Sequence, residues 1–401
     1  MTAKGIFDGV RIVELAQYVF VPGGSVLLAD QGAEVIHVEP PMTGDPYRTL
    51  KVGDGREIGS VNLAMEQNNR NKKSIALDLK TEDGREALLK LIETADVFLS
   101  SIRPQALRKL RLDVDDLRAR NPKIIYARGN GLGFRGEEAH KPGFDASAFW
   151  ARGGACYAFT RPGQQPTSPR PAFGDHSGGM AVAFGIASAL FKRAMTGEPS
   201  VVETSLLSTA VWMLSSDITY SQMPHYSLHG AVTRVALKYA YTTRDGRIIQ
   251  FMLLDPRPHW GPLCRLLGLE HLVDDPRFAG EEERIANSDQ LIPIIQDRIG
   301  AEEFAHWKPL LDGFDGSWEV IQTIDDLSTD PQVIANEMIF SMDVGGVPVR
   351  MVSGPTAFDG AARPAEARPA PALGAHSEAL LTEIGYSADA IADLRARGIA
   401  Q

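Results

Sequence analysis

Cysteine is nearly absent from this chain. Cys156 and Cys264 are the only two, they lie far apart, and neither belongs to a C-x-x-C pair, so neither a disulfide framework nor a zinc site is supported. Long hydrophobic runs are missing as well: the longest, near 179 to 191, is interrupted by glycines and too short to span a bilayer. The opening MTAKGIFDGVRIVEL has no extended apolar core of the signal-peptide kind. A soluble protein of a reducing cytoplasm, without a membrane partner, is the expectation. Positive charge is also in deficit: 51 acidic against 41 basic side chains leave a formal charge of -10, which argues against nucleic acid as a general partner. A local basic site for an anionic cofactor stays compatible with that total.

What is present is a globular composition, 44% hydrophobic and 23% charged over 401 residues, enough for a large core and two domains. VRIVEL reads as a strand, SVLLADQGA as a helix and EVIHVEP as a second strand. SIALDL, the helical TEDGREALLKLIETA, the strand DVFLSS, a helix around 104 to 119 and the strand KIIYARG continue the alternation. Such β-α alternation predicts an α/β fold with a mostly parallel sheet covered by helices on both faces. A buried helix from Met180 to Phe191, the strand PSVVETSL and the helix TAVWMLSSDITYSQM extend this large domain, whose N-terminal part is assigned to 1–222. Residues 223–238 read as a loop and TTRDGRIIQFML as a hairpin turning at Asp-Gly, which opens a smaller α+β domain at 223–330. A C-terminal part, 331–401, holds VGGVPVRMVSGPTAF, a Pro/Ala-rich connector and a helix near 377 to 396.

Several local patterns suggest chemistry and fail on spacing. GNGLGF has its glycines at 129, 131 and 133, which is not the G-x-G-x-x-G of a dinucleotide loop. Asp175, His176 and Ser177 supply the residue types of a hydrolase triad, but adjacent side chains at a helix start diverge. His225 and His229 are four apart with no third ligand nearby, so no metal site is expected. The carboxylate of Asp175, in PAFGDHSGGM, has an ordinary reading: Asp175 or Ser177 caps the helix that follows. NRNKKS and RPQALRKLRL place positive charge beside strand ends, as solvated faces or as an anion site, and Arg103 comes directly after DVFLSS.

Taken in order, GVRIVELAQYVFVPGGSVLLADQGAEVIHVEPPMTGDPYR, NRNKKSIALDLKTEDGREALLKLIETADVFLSSIRP, NPKIIYARGNGLG, KPGFDASAFWARGG and FGDHSGGM resemble the class III CoA-transferase family, which also includes the α-methylacyl-CoA racemases. The likeness runs from about residue 8 to 210 and resumes in DGRIIQF and HSEALLTEIGYSADAIADLRARGI. The resemblance implies a Rossmann-like large domain made from both ends of the chain, a small domain, and an interlocked homodimer. It also implies transfer of CoA from an acyl-CoA to a carboxylic acid, with the thioester as substrate and no permanently bound cofactor or metal. Asp175 matches the nucleophile that forms an aspartyl anhydride; a helix start would hold it ionised and lend N–H groups to an oxyanion. Arg103 and Lys109 match basic CoA-contacting positions, while Leu77, Asp78, Lys80, Ser101 and Ile102 fall where the family's CoA pocket is lined. Val19, Phe144 and Asp145 fall beside the family's active site; Val19 and Phe144 depart from it, while Asp145 is equivalent to an aspartate of the racemases. Val19 stands where formyl-CoA transferase has glutamine, and Phe144 where the racemases have a catalytic histidine. Asp145 is a substitute base in principle, but one residue along the chain points elsewhere. A racemase using Asp175 as acid and base, and a CoA-binding protein without turnover, are the alternatives.

Overall fold

A computed structural model describes residues 5–50, 61–224, 226–228, 234–360 and 367–401. His225 and His229 lie outside the described residues, as does part of the 223–238 loop. The chain forms two units, one from 1–228 with 332–401 and one from 229–331.

In the first unit, β-branched residues alternate between two covered faces. In β1 (Arg11–Leu15), Ile12 joins one apolar cluster and Val13 the other, both fully buried. β2 (Glu34–Glu39), β3 (Lys73–Ala76), β4 (Val97–Ser100), β5 (Ile125–Asn130) and β6 (Val201–Ser205) complete a six-stranded parallel sheet in the order β3-β2-β1-β4-β5-β6. Strand order reverses between β1 and β4, with Leu15 opposite Ser100, and such a reversal opens a crevice at the carboxyl edge of a sheet.

The helices follow the sequence with three breaks. Between β1 and β2 runs α1 (Pro22–Ala29), and α2 (Leu63–Asn69) precedes β3. α3 (Glu82–Glu93) starts at Thr81, whose side chain accepts from the Gly84 N–H, and buries Ala87, Leu88, Leu91 and Ile92. Full burial of each Leu or Ile is worth about 1.5–3 kcal/mol. The helix expected around 104 to 119 is two: α4 (Pro104–Leu110) ends where Arg111 turns left-handed (φ 54°), and α5 (Val114–Arg120) restarts in a capping box at Asp113. After β5 come a π-helical segment, Asp145–Arg152, the single turn α6 (Ala155–Ala158) and the long α7 (Phe173–Thr196). α7 is not buried all round: Val182, Ile186 and Ala189 face the sheet, while Met180, Phe184 and Phe191 are exposed. TAVWMLSSDITYSQM likewise splits, into α8 (Leu206–Met213) and α9 (Ser215–Tyr220).

The second unit holds the antiparallel sheet of β7 (Ala240–Thr242), β8 (Ile248–Phe251) and β9 (Trp318–Val320), with the Asp-Gly turn where expected and Gly246 at φ 81°. α10 (Trp260–Leu267), α11 (Glu281–Ala286), α12 (Ser288–Gly300) and α13 (Phe304–Asp312) complete it around Leu263, Leu291, Ile295 and Trp307. Beyond α14 (Pro331–Ala335), the hairpin β10 (Ile339–Val344) and β11 (Val347–Val352) belongs to the first unit. The third break divides the C-terminal helix into α15 (Ser377–Glu383) and α16 (Ala388–Ala396), whose Leu380, Leu381, Ile391 and Leu394 enter the same cluster as Val13. Both ends of the chain thus build one core.

Candidate active site

Helices that connect parallel strands run back across the sheet, so α1 and α7 both begin at its carboxyl edge. Their N-terminal turns meet through glycine: a Cβ on Gly24 would lie 2.7 Å from the Gly179 carbonyl oxygen, and one on Gly178 would lie 2.4 Å from the Phe20 ring. This close approach sets Asp175, in the first turn of α7, beside the loop that follows β1.

Asp175 does not cap its helix, and neither does Ser177, whose hydroxyl donates to the Phe173 carbonyl (2.8 Å). The cap comes from Asp145: the Gly174 N–H donates to its Oδ2 at 3.2 Å. Gly174 is dictated by that approach, because a Cβ would stand 2.3 Å from Asp145 Oδ1 and 2.4 Å from the Phe149 ring. Asp145 therefore faces the start of α7 rather than pointing away, contrary to the expectation from its offset in sequence.

The carboxyl of Asp175 is consequently free of capping, but it is not held ionised. Burial pushes its pKa up, Asp145 adds to this, and the value reaches about 7. Asp145 is itself raised by burial, against the pull of the Gly174 and Asp175 N–H groups. The first-turn donors are also spent: Gly174 N–H on Asp145, and His176 N–H on the Ala172 carbonyl at 2.8 Å. An oxyanion at this place needs another donor.

Around Asp175 the walls are apolar and aromatic. Val19 (3% exposed), Tyr47 (7%) and Met65 form one cluster, with Tyr18 and Ala172 against it. Phe144 is 59% exposed and meets the Tyr18 ring edge-on at 5.4 Å, so it is not a core aromatic. His176 Nε2 lies 2.9 Å from Asn68 Oδ1, while Asn68 Nδ2 donates to the Ala64 carbonyl (2.8 Å); this fixes the amide as acceptor and His176 as donor.

Beneath these walls lies a buried charge network that the sequence reading missed. In NRNKKS two of the three cations are neither solvated nor open to anions: Arg70 is fully buried on Asp30 (2.6 Å), and Lys72 Nζ donates to Glu14 Oε1, the Pro22 carbonyl and Asn69 Oδ1, each at 3.0 Å, while Lys73 stays partly exposed beside Glu34. His37 Nδ1 lies 2.6 Å from Glu14 Oε1, and its Nε2 lies 3.6 Å from Asp45 Oδ2. Burial lowers the His37 pKa, but Asp45, Glu14 and Glu39 outweigh it and lift the value to about 9. Glu14 is held at about 2, burial being overcome by Lys72, His37 and Ser25. Asp45 in turn accepts the Tyr18 N–H on both oxygens (3.2 Å each) and the Tyr47 N–H (2.9 Å). The available signal was charge inside strands: Glu14, His37 and Glu39 interrupt otherwise apolar β1 and β2, and a sheet covered on both faces forces such groups to pair.

The remaining predicted positions lie along the same carboxyl edge. Ser101, after β4, accepts the Gln17 N–H at 3.0 Å and so joins the two loops at the strand-order reversal. Ile102 N–H donates to Ser100 Oγ (3.0 Å), and Arg103 and Lys109 are exposed at the start and last turn of α4. After β3, Leu77 is 1% exposed and bridges to Ala400, so its side chain is in the core. Asp78 Oδ1 accepts the Lys80 N–H (3.0 Å), and Lys80 is exposed. Among the described residues no cluster of metal-ligating side chains occurs, and no helix is long and apolar enough to cross a membrane.

A parallel sheet with the strand order above, carrying an aspartate at a helix start on its carboxyl edge, is a Rossmann-like α/β arrangement with a candidate site at that edge. Residues 7–377 match the family model for CoA-transferase family III, and the chain belongs to that family. It is 32% identical to (R)-2-hydroxy-4-methylpentanoate CoA-transferase of Clostridioides difficile, over 96% of this chain and 97% of that one. It is also 32% identical to cinnamoyl-CoA:phenyllactate CoA-transferase of Clostridium sporogenes, over 97% and 96% of the two chains. Among solved structures, Rv3272 from Mycobacterium tuberculosis superposes with a TM-score of 0.81 at 28% identity, covering 94% of this chain and 99% of that one.

Proposed function

We propose that this CoA-transferase uses Asp175 as the nucleophile on an acyl-CoA thioester. Attack by a carboxylate oxygen forms a mixed anhydride and releases CoA thiolate, which attacks the Asp175 carbonyl, expelling the donor acid and leaving an enzyme-bound thioester; the acceptor carboxylate then displaces the thiolate to give a second anhydride, and the thiolate attacks its acceptor carbonyl to form the new acyl-CoA and free Asp175. The observation that carries this reading is the division of labour between two carboxyls: Asp145 caps α7, which leaves the Asp175 carboxyl free at the carboxyl edge of the sheet. An apolar setting suits a nucleophilic carboxylate, since it withholds the water that would blunt attack and hydrolyse the anhydride. The CoA part extends along the edge past Ser101, Ile102 and Arg103 towards Lys109, with Asp78 and Lys80 at the β3 end and the backbone of Leu77 beneath. Val19, Tyr18 and Phe144 face the acyl group and the acceptor, which favours branched or aromatic acids, in keeping with the names of the two relatives.

In this reading CoA thioesters enter as substrates, with no resident cofactor, and the enzyme works as a cytoplasmic interlocked homodimer. The exposed Phe184, Phe191 and Trp212 support a second copy as the cover for that face. The test is trapping with hydroxylamine during incubation with an acyl-CoA, read by peptide mass spectrometry. A hydroxamate at Asp175, and loss of transfer in Asp175→Ala with the fold retained, are expected; full activity of that variant removes the nucleophile.

A further inference from the structure

We propose that Tyr47 is a catalytic residue of the transfer: its phenolic hydroxyl donates a hydrogen bond to the thioester carbonyl oxygen as Asp175 attacks the carbonyl carbon. The inference rests on the nucleophile reading above and adds the group that receives the developing charge.

The need for such a donor is set by the helix start. In the tetrahedral species a new C–O bond to Asp175 has formed, and the former π electrons reside on the carbonyl oxygen. When that oxygen re-forms its double bond, the C–S pair departs with sulfur. Preorganised donors at the oxyanion are among the largest contributions to such steps. The N–H groups of the first turn of α7 do not serve, because Gly174 donates to Asp145 and His176 to the Ala172 carbonyl. The His176 side chain is engaged as well, on Asn68 Oδ1.

Tyr47 is fixed at every point except its hydroxyl. Its N–H donates to Asp45 Oδ1 (2.9 Å), its carbonyl accepts from Asn62 Nδ2 (2.9 Å), and its ring lies with Val19 and Met65, edge-on to Tyr18 at 6.4 Å. Asp45, its anchor, is held by the Glu39 carboxylate through its own N–H (2.9 Å) and faces the buried His37 imidazole. The hydroxyl makes no hydrogen bond among the described residues, and Tyr47 as a whole is 7% exposed. After burial, Asp175 is the charge that acts on this phenol most strongly, and together with Asp45 it raises the pKa to about 12. The phenol therefore keeps its proton throughout the working range, and the cluster that holds its ring meets the start of α7 at Ala172, three residues before Asp175. A donor in the cluster beside the start of α7, unspent on any described group, is available to the carbonyl oxygen that attack by Asp175 charges. The proton stays on Tyr47 throughout; only a hydrogen bond strengthens and relaxes.

The experiment is Tyr47→Phe, which keeps the ring and its contacts and removes one oxygen. Transfer kinetics and the rate of hydroxylamine-trapped Asp175 adduct are measured beside wild type, with a thermal melt to confirm the fold. The expected result is a fall of about 100-fold in kcat and in the adduct formation rate, with KM for the acyl-CoA within about twofold. A wild-type adduct that forms equally fast in Tyr47→Phe overturns the role of Tyr47 alone. Absence of any Asp175 adduct in wild type overturns the nucleophile and the Tyr47 role with it.

Discussion

Replacing Asp175 by asparagine should make the protein inactive and, above neutral pH, more stable. The carboxyl's pKa rises from 3.8 to about 7 on folding, through burial first and Asp145 second. A raised pKa means that the folded state binds the proton more tightly than the unfolded chain does. The stability linked to that proton is complete below the unfolded pKa of 3.8 and is lost as pH rises through about 7. At about 1.4 kcal/mol per unit the full shift is worth about 4 kcal/mol, and partial contact with solvent reduces this to roughly 2 kcal/mol. An amide of the same shape carries no such cost. Asp175→Asn is thus expected to melt roughly 3 °C above wild type at pH 8, with most of that gap gone at pH 4.5. Differential scanning fluorimetry of both proteins across this range is the assay. A gap that is constant with pH, or that widens toward acid, refutes the burial argument, because a loss of packing alone has no reason to follow the titration of this carboxyl.

Arg103→Gln and Lys109→Gln are each expected to weaken CoA binding by roughly tenfold, with kcat at saturating acyl-CoA changed much less, since the proposed binding mode sets these exposed cations against the remote part of the substrate. Unchanged calorimetric affinity in both variants would return these side chains to the solvated helix face. The enzyme is expected to leave the α-proton of a 2-methylacyl-CoA in place when followed by proton NMR in deuterated water, because Phe144 cannot carry a proton and Asp145 is committed to Gly174 N–H. Steady loss of that signal, absent in Asp175→Ala, would favour racemase chemistry using the two carboxyls as its acid and base.

The sequence by itself determined the β-α alternation, the parallel sheet and the identity of the acid worth asking about. These rest on local periodicity and on short motifs, which survive without knowledge of neighbours. Tertiary structure decided what each polar group does. The local rule that aspartate caps a helix was right about the need at the start of α7 and wrong about the residue, since Asp145 reaches it from another segment. Lys72 looks like part of a solvated basic run, yet it is buried on Glu14, a residue 58 positions away. Its protonation and that of His37 follow from partners in other strands, which no spacing along the chain encodes. Tyr47 was invisible for the same reason: a tyrosine after Gly-Asp-Pro carries no signal until folding packs it with Val19 and Met65 in the cluster beside the start of α7. Pairwise burial and electrostatics depend on distance in space, and only the fold of β1, β2, α1 and α7 against one another supplies that distance.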